Sequence, residues 1–392
     1  MKNLWNNKTV QQLTTDLEFR VYTSNLLGES QDLVLHGGGN TSVKSKVDGK
    51  DVLYVKGSGW NLVDIKEEGF SPVELGFLLD MAKVESLSDK EMVDGQREAL
   101  LDKNAPNPSV EAILHALIPF KYVDHTHADA IVTISNSTNG DQYIKELYKD
   151  FLIVPYIMPG FILAKEIFNL TKNNFDWDSC KGIILHNHGI FTFDDDPKKS
   201  YDNMIESVTL AEKFLEEKTN IEVSPYLVSQ GYDILKLQDI ISKSKGYPVE
   251  IKVERSNLSL VYAKMENLKE KATRGVLTPE HIIRTKRVPL ILEDENIEDA
   301  LENYKKEYNE YFDKYATDEI MLDPTPNYAV IKDFGIVTFG KTQKEADVIS
   351  DIVNHTVEAV LKADQIGGYK SISLKNSFDM EYWELEQIKL KK

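Results

Sequence analysis

A chain of 392 residues is long enough for a full hydrophobic core and for two domains, or for one large α/β unit with additions. Its 46 Lys and Arg against 64 Asp and Glu give a formal charge of -18, which sets aside a nucleic-acid scaffold and leaves any anionic ligand to local donors. The one cysteine, Cys180, excludes an internal disulfide and a cysteine metal cluster, and no apolar run reaches the roughly 18 residues a membrane helix needs. The start, "MKNLWNNKTVQQ", has no apolar core, so no secretory leader and a cytoplasmic setting are expected.

Residues 8–29 place Leu13, Leu17, Phe19, Val21 and Leu26 at helical spacing. Apolar-rich runs follow at 33–35, 42–47 and 51–56, separated by a glycine cluster and by "VDGKD". They read as a hairpin with an Asp-Gly turn, entered through a glycine-rich loop. Ser71, Pro72 and Glu74 have the spacing of a capping box and predict a helix over 71–82. A second helix is expected over 109–118, capped by Ser109. The run 122–134 reads as a strand, and "GIILHNHGIFTF" (182–193) as strand, turn, strand. Pro197 opens a long amphipathic helix to 218. Helices alternating with hairpin-like strand pairs predict a three-layer α/β/α fold with a mixed sheet.

Pro225, Gly231, Gly246 and Pro248 place a boundary within 219–250. A metal-binding catalytic domain is expected over 1–222 and a second α/β domain over 250–392. The second echoes the first. Residues 328–363 mirror 182–216 as strand, Gly turn, strand, polar loop and long helix, matching His186 to Lys332 and His188 to Phe334. A shorter match sets "IIRTKRVPLI" (282–291) on "VDHTHADAIV", so that Arg284 and Lys286 fall on His125 and His127. A degenerate duplication that lost its imidazoles is one reading, and two unrelated units the other. In the second copy Arg284 and Lys286 would pack, contact a neighbouring subunit or help hold an anion.

Five of the eight histidines fall in 115–127 or 186–188. Histidine is the commonest metal ligand, and a catalytic zinc site takes three protein ligands plus an open position. His125 and His127, two apart on a strand, share one face. A third ligand must come from elsewhere, and His186 and His188 are the candidates. An isolated His-x-His is ordinarily a satisfied or surface pair; two such pairs on neighbouring strands favour a metal site. Glu111, in the first turn of a helix, is by position an ordinary dipole-compensating residue and otherwise a proton carrier. The loops "HGGGNTS" (36–42) and "KGSGW" (56–60) offer backbone N–H groups for an anion, although tight turns alone explain such glycines. "HGGG" has the look of an esterase oxyanion loop, but no G-x-S-x-G elbow accompanies it.

Together, "GGGNTSVK", "YVKGSGW", "PSVEAILH", "VDHTHADAI" and "HNHGIFTF" resemble the class II aldolase/adducin family over roughly residues 10–220. The tail, "ATRGVLTPEHIIRTKRVPLIL" and "FDMEYWELEQIKLKK", is similar to the aldolase half of bifunctional rhamnulose-1-phosphate aldolase/short-chain alcohol dehydrogenases. No G-x-G-x-x-G unit is present, so a dehydrogenase is expected only as a separate partner. The resemblance implies zinc or another divalent metal on His125, His127 and His188. Glu111 would be the catalytic glutamate, able also to ligate the resting metal. Asn40, Ser58, Gly59 and Ser109 would hold the phosphate; the family has a second Ser where this chain has Val110, which removes one hydroxyl donor.

The implied reaction is retro-aldol cleavage of a ketose 1-phosphate, such as rhamnulose 1-phosphate, to dihydroxyacetone phosphate and a small aldehyde. Zinc would stabilise the enediolate and Glu111 would exchange the proton at its carbon. A homo-oligomer is expected, since a further tyrosine in the family often comes from a neighbouring subunit. The competing readings are a sugar-phosphate dehydratase, epimerase or decarboxylase on the same metal scaffold, and a non-catalytic adducin-like binding protein. His186 matches no ligand position.

Overall fold

The structure, a computed structural model, describes residues 1–223, 231–293 and 296–385. Pro225 of the expected boundary and residues 386–392 of the tail lie outside them. The chain forms two compact units, one of residues 1–132 and 141–214, the other of 133–140 and the described residues from 215 onward. Among the described residues, no helix is long and apolar enough to cross a membrane.

The first unit holds strands β1 (Asn40–Val47), β2 (Lys50–Lys56), β3 (Phe70–Glu74), β4 (Tyr122–Thr126), β5 (Leu152–Val154), β6 (Ile183–Leu185) and β7 (Gly189–Asp194). Their order is β3-β2-β1-β4-β7-β6-β5, antiparallel throughout except for the parallel pair β5 and β6. The β1–β2 turn has Asp48 at φ 48° and Gly49 at φ 81°, the two positive values a tight two-residue hairpin requires.

Alternation along β4 sets the layers. Val123 packs into the apolar core with the helices Leu75–Lys83, Ala112–Leu117 and Phe161–Thr171. On the opposite face, Asp124 accepts from Arg20 of the helix Asp16–Gly28 and from Ser200 of the helix Pro197–Lys218. The sheet thus lies between two helical layers, as predicted.

Several local expectations fail. Residues 8–29 split into two helices, Asn7–Val10 and Asp16–Gly28, the latter with a Thr15/Glu18 capping box. Residues 33–35 form no strand. Ser71–Glu74 is the end of strand β3, not the head of a helix. Val73 is fully buried there, and Pro72 is tolerated because β3 lies at the end of the sheet; the helix starts at Leu75. The helix expected from Ser109 starts at Ala112. The run 122–134 is strand only to Thr126, and Asp129–Ser135 is helical. Polar and apolar residues mix over the run, and the alternation that marks a strand holds only at its start.

The second unit has strands β8 (Glu250–Glu254), β9 (Leu290–Leu292), β10 (Tyr328–Ile331) and β11 (Gly335–Gly340), in the order β8-β11-β10-β9. β11 is antiparallel to β8 and β10, and β10 is parallel to β9. This is the pairing of β4, β7, β6 and β5, taken in the same order.

The details repeat as well. Asn187 and Asp333 both sit at φ 59° in the turn. The next residue donates back to the strand end in each copy, His188 N to Leu185 O and Phe334 N to Ile331 O. A Cβ on Gly189 would lie 2.3 Å from Thr126 O, and one on Gly335 would lie 2.5 Å from Glu254 O. Thr192 and Thr338 each donate to a carbonyl eight residues on, at the head of the following helix.

This register corrects the weaker match. Residues 282–285 are helical, and the strand that follows is β9. The counterpart of β4 is β8, so Val253 falls on His125 and Arg255 on His127. Arg284 and Lys286 hold neither position.

Candidate metal centre and active site

β4 ends at Thr126, so His125 is on the strand and His127 is one residue past it. Their Nε2 atoms still meet, 3.0 Å apart. His188 is not on a strand but in the β6–β7 turn, which delivers its ring to 5.1 Å from that of His125 and 5.0 Å from that of His127. One ligand nitrogen from each of the three lies within 4.8 Å of the others. Gly189 permits this approach, since its ideal Cβ would be 3.1 Å from His125 Cε1 and 3.2 Å from His127 Cδ2.

His125 is fully buried and lies flat on Phe191, with centroids 4.1 Å apart. Its Nδ1 is 3.0 Å from Ile190 O. A carbonyl only accepts, so Nδ1 carries the proton and Nε2 presents its lone pair to the site.

Glu111 enters from the residue preceding the helix Ala112–Leu117. Its Oε2 is 3.4 Å from His125 Nε2 and its Oε1 is 3.8 Å from His188 Nε2. Oε1 is buried with no hydrogen-bond partner. Leaving such an atom unsatisfied is costly. Three imidazoles and an orphaned carboxylate oxygen form a donor set suited to one divalent cation.

Asn40, expected at a phosphate, is paired opposite His125 in the sheet and donates through Nδ2 to Glu111 Oε2 at 2.7 Å. Ser58, Gly59 and Ser109 lie in two loops tied together: Ser58 N donates to Asn107 O at 2.8 Å, and Ser109 N to Lys56 O at 3.0 Å. The Ser109 hydroxyl accepts from Glu111 N at 3.3 Å. Ser58 and Gly59 are exposed, Ser109 half-buried. His186 turns to the other side of its turn, where Nε2 is 3.3 Å from Asp141. Burial lowers its pKa, with Asp141 opposing.

Two site residues escaped the sequence reading. Lys56, the last residue of β2, is buried with Nζ 3.3 Å from Gly37 O of the glycine loop. Burial pushes its ammonium down to about 8, with Glu111 opposing. His115 is fully buried one helical turn beyond Glu111 and contacts Asn40 and Ser42. The signals were present, as a lysine abutting the second glycine loop and a histidine at i+4 from the glutamate.

In the second unit Arg255 lies over the Phe334 ring, 5.0 Å from its centroid. Lys286 is buried elsewhere, with Nζ 3.0 Å from Tyr308 OH and 3.4 Å from Glu381.

Comparison with known families matches residues 20–215 to the Class II Aldolase and Adducin N-terminal domain and residues 233–390 to the second domain of class II aldolases. A curated relative, the uncharacterized oxidoreductase YuxG of Bacillus subtilis (strain 168), is 29% identical over 418 residues. The match takes in all of this chain but 60% of that protein. A solved N-terminal class II aldolase domain of a conserved Thermoplasma acidophilum protein is 40% identical, with a TM-score of 0.50, covering 55% of this chain and 99% of that one. YgbL of Klebsiella pneumoniae, described as a putative aldolase/epimerase/decarboxylase, is 20% identical with a TM-score of 0.38, covering 56% and 94%.

Proposed function

The chain belongs to the class II aldolase and adducin family, and from that premise we propose that it cleaves a ketose 1-phosphate to dihydroxyacetone phosphate and a small aldehyde, with a divalent metal, zinc first among candidates. The observation that carries this reading is the buried carboxylate of Glu111 facing three imidazoles, its Oε1 without a hydrogen-bond partner. Leaving a buried carboxylate oxygen unsatisfied is costly, and a divalent cation held by the imidazoles would satisfy it.

His125, His127 and His188 would hold the cation, with Glu111 as a ligand while substrate is absent. Three neutral ligands leave the ion its full charge, and when bound it supplies Lewis-acid stabilisation to negative charge developing on substrate oxygens. The protein's own residues do the rest. In the retro-aldol direction a hydroxyl proton passes to water, the adjacent carbon–carbon bond breaks, and its electron pair goes to the carbon that becomes part of dihydroxyacetone phosphate. Glu111, having taken up a proton from water, then delivers it to that carbon. Its carboxyl lies between the imidazoles and the Asn40 amide, where it would face a substrate held by those residues.

Asn40, Ser58, Gly59 and Ser109 would orient the phosphate, with Lys56 beside the glycine loop as the nearby buried cation. Binding a remote phosphate fixes the reacting carbon against the carboxylate. The test is incubation of zinc-loaded protein with a panel of ketose 1-phosphates, scoring dihydroxyacetone phosphate release. Release from at least one is expected. Epimerised, dehydrated or decarboxylated product without cleavage would move the assignment to another reaction on the scaffold.

A further inference from the structure

His115 is a buried titratable group that this mechanism leaves idle, and its surroundings define a role. It lies at i+4 from Glu111, and its ring is 5.3 Å from Phe191, the ring on which His125 stacks. Its Nδ1 is 2.8 Å from Ser42 Oγ, and its Nε2 contacts Asn40 Oδ1. Asn40 in turn reaches Glu111 Oε2 through Nδ2 at 2.7 Å.

The direction of each bond follows from the chemistry. An ionised carboxylate only accepts, so the atom of Asn40 facing it must be the amide nitrogen. That leaves Oδ1 toward His115, and a carbonyl oxygen requires a donor there. Nε2 of His115 therefore carries the proton. Nδ1 is left as an acceptor, which Ser42 satisfies with its hydroxyl hydrogen. Ser42, Asn40 and His115 are all buried, so water does not compete for these bonds.

We propose that His115 is a positioning residue for the reaction. It locks the Asn40 side chain in the orientation that turns the amide N–H, rather than the carbonyl, to Glu111, and so holds that carboxylate against the imidazoles. The proposal rests on the reading of Glu111 as the proton carrier. Without the imidazole, the amide is free to rotate by half a turn, which would set its oxygen against the carboxylate. The effect belongs to the proton-transfer step rather than to metal binding, since the His115 ring is bonded to Asn40 and Ser42.

The test has two readouts. In metal-free protein carrying 15N-labelled histidine, the His115 resonances should report the Nε2–H tautomer; an Nδ1–H tautomer would overturn the proposal. In metal-loaded protein, H115L should lower kcat, and exchange of solvent deuterium into dihydroxyacetone phosphate, by about 10–100-fold, the usual scale for losing such a supporting contact. Bound zinc should be unchanged. H115Q places an amide N–H near the position of Nε2–H and should recover most of the loss. In the N40A background, H115L should cost nothing further.

An H115Q protein that folds yet is as impaired as H115L, or losses that add in the double variant, would refute the positioning role. If wild-type protein cleaves none of the sugars, the proposed function falls. The tautomer and the hydrogen-exchange rate of the Asn40 amide still decide this proposal, with slow exchange expected in wild type and H115Q and fast exchange in H115L. Equal rates in all three would sink it.

Discussion

Arg255 lies over Phe334 at the two register positions that carry His127 and His188 in the first sheet. Where one copy would cradle a dication between imidazoles, the other stacks a guanidinium on a ring, and Val253 replaces His125. That unit therefore keeps the fold without the donors. Equilibrium dialysis should find one tightly bound zinc per chain. His127→Ala should drop this well below one, and Arg255→Ala should leave it unchanged. Full occupancy in the His127 variant would mean that the ligands are misassigned.

Glu111→Gln is nearly isosteric and keeps a side-chain oxygen for the metal, but removes the group that carries the proton. Cleavage should fall by roughly 10²–10⁴-fold, the usual contribution of general acid–base catalysis. Zinc content and thermal midpoint should change little. Turnover near wild type in a zinc-replete E111Q protein would remove Glu111 from the mechanism.

Lys44 ties the site to the sheet. From β1 its Nζ donates to three carbonyls, His115 O at 3.0 Å, Ile118 O at 2.6 Å and Phe120 O at 2.8 Å. These cap the end of the short helix that Glu111 precedes, and six residues alone would hold such a helix poorly. Lys44→Met keeps the stem and orphans the carbonyls. Burial pushes the Lys44 ammonium down to about 7, so the comparison belongs above that pH, where the amine still donates without the cost of a buried charge. Urea denaturation there should show a loss of roughly 2–4 kcal/mol. A loss below 0.5 kcal/mol, about the level of a neutral surface change, would show the cap to be dispensable.

The histidine trio was legible because the signal is local. His125 and His127 are two apart, His188 abuts the glycine its turn requires, and both segments carry strong strand patterns. The role of His115 was not, because what gives it meaning is Asn40, 75 residues away and brought near only by β1 pairing with β4. Strand and helix were confused over 122–134 because the segment is too short on each side of His127 to show its own period. The repeat shows both outcomes. Residues 328–363 share the turn, threonine and glycine of 182–216, so the two could be aligned from sequence. In β8, "EIKVE" kept only the shape of a strand, so "IIRTKRVPLI" was matched in its place. Chemistry-bearing side chains leave a trace in sequence, whereas a strand that merely pairs does not.

Lys56 gives a dependence on pH that bears on the anion loop. Burial lowers its pKa from 10.5 to about 8, against the attraction of Glu111. Below about 8 the folded and unfolded chains both carry the proton, and the cost of burying the ammonium is fully present. Between about 8 and 10.5 the unfolded chain holds a proton that the folded chain has released, so stability rises with pH across this window. The full gain is roughly 3 kcal/mol, from a shift of about 2.5 units at 1.36 kcal/mol each. Lys56→Met cannot show it. In metal-free protein the stability difference, wild type minus Lys56→Met, should climb as pH rises from 8 toward 10.5. Subtraction cancels the titration of the other lysines. Affinity for dihydroxyacetone phosphate should move oppositely, weakening as the ammonium loses its charge above about 8. A difference that stays flat with pH would show that Lys56 titrates as an ordinary solvated lysine, and would remove the buried cation from the phosphate site.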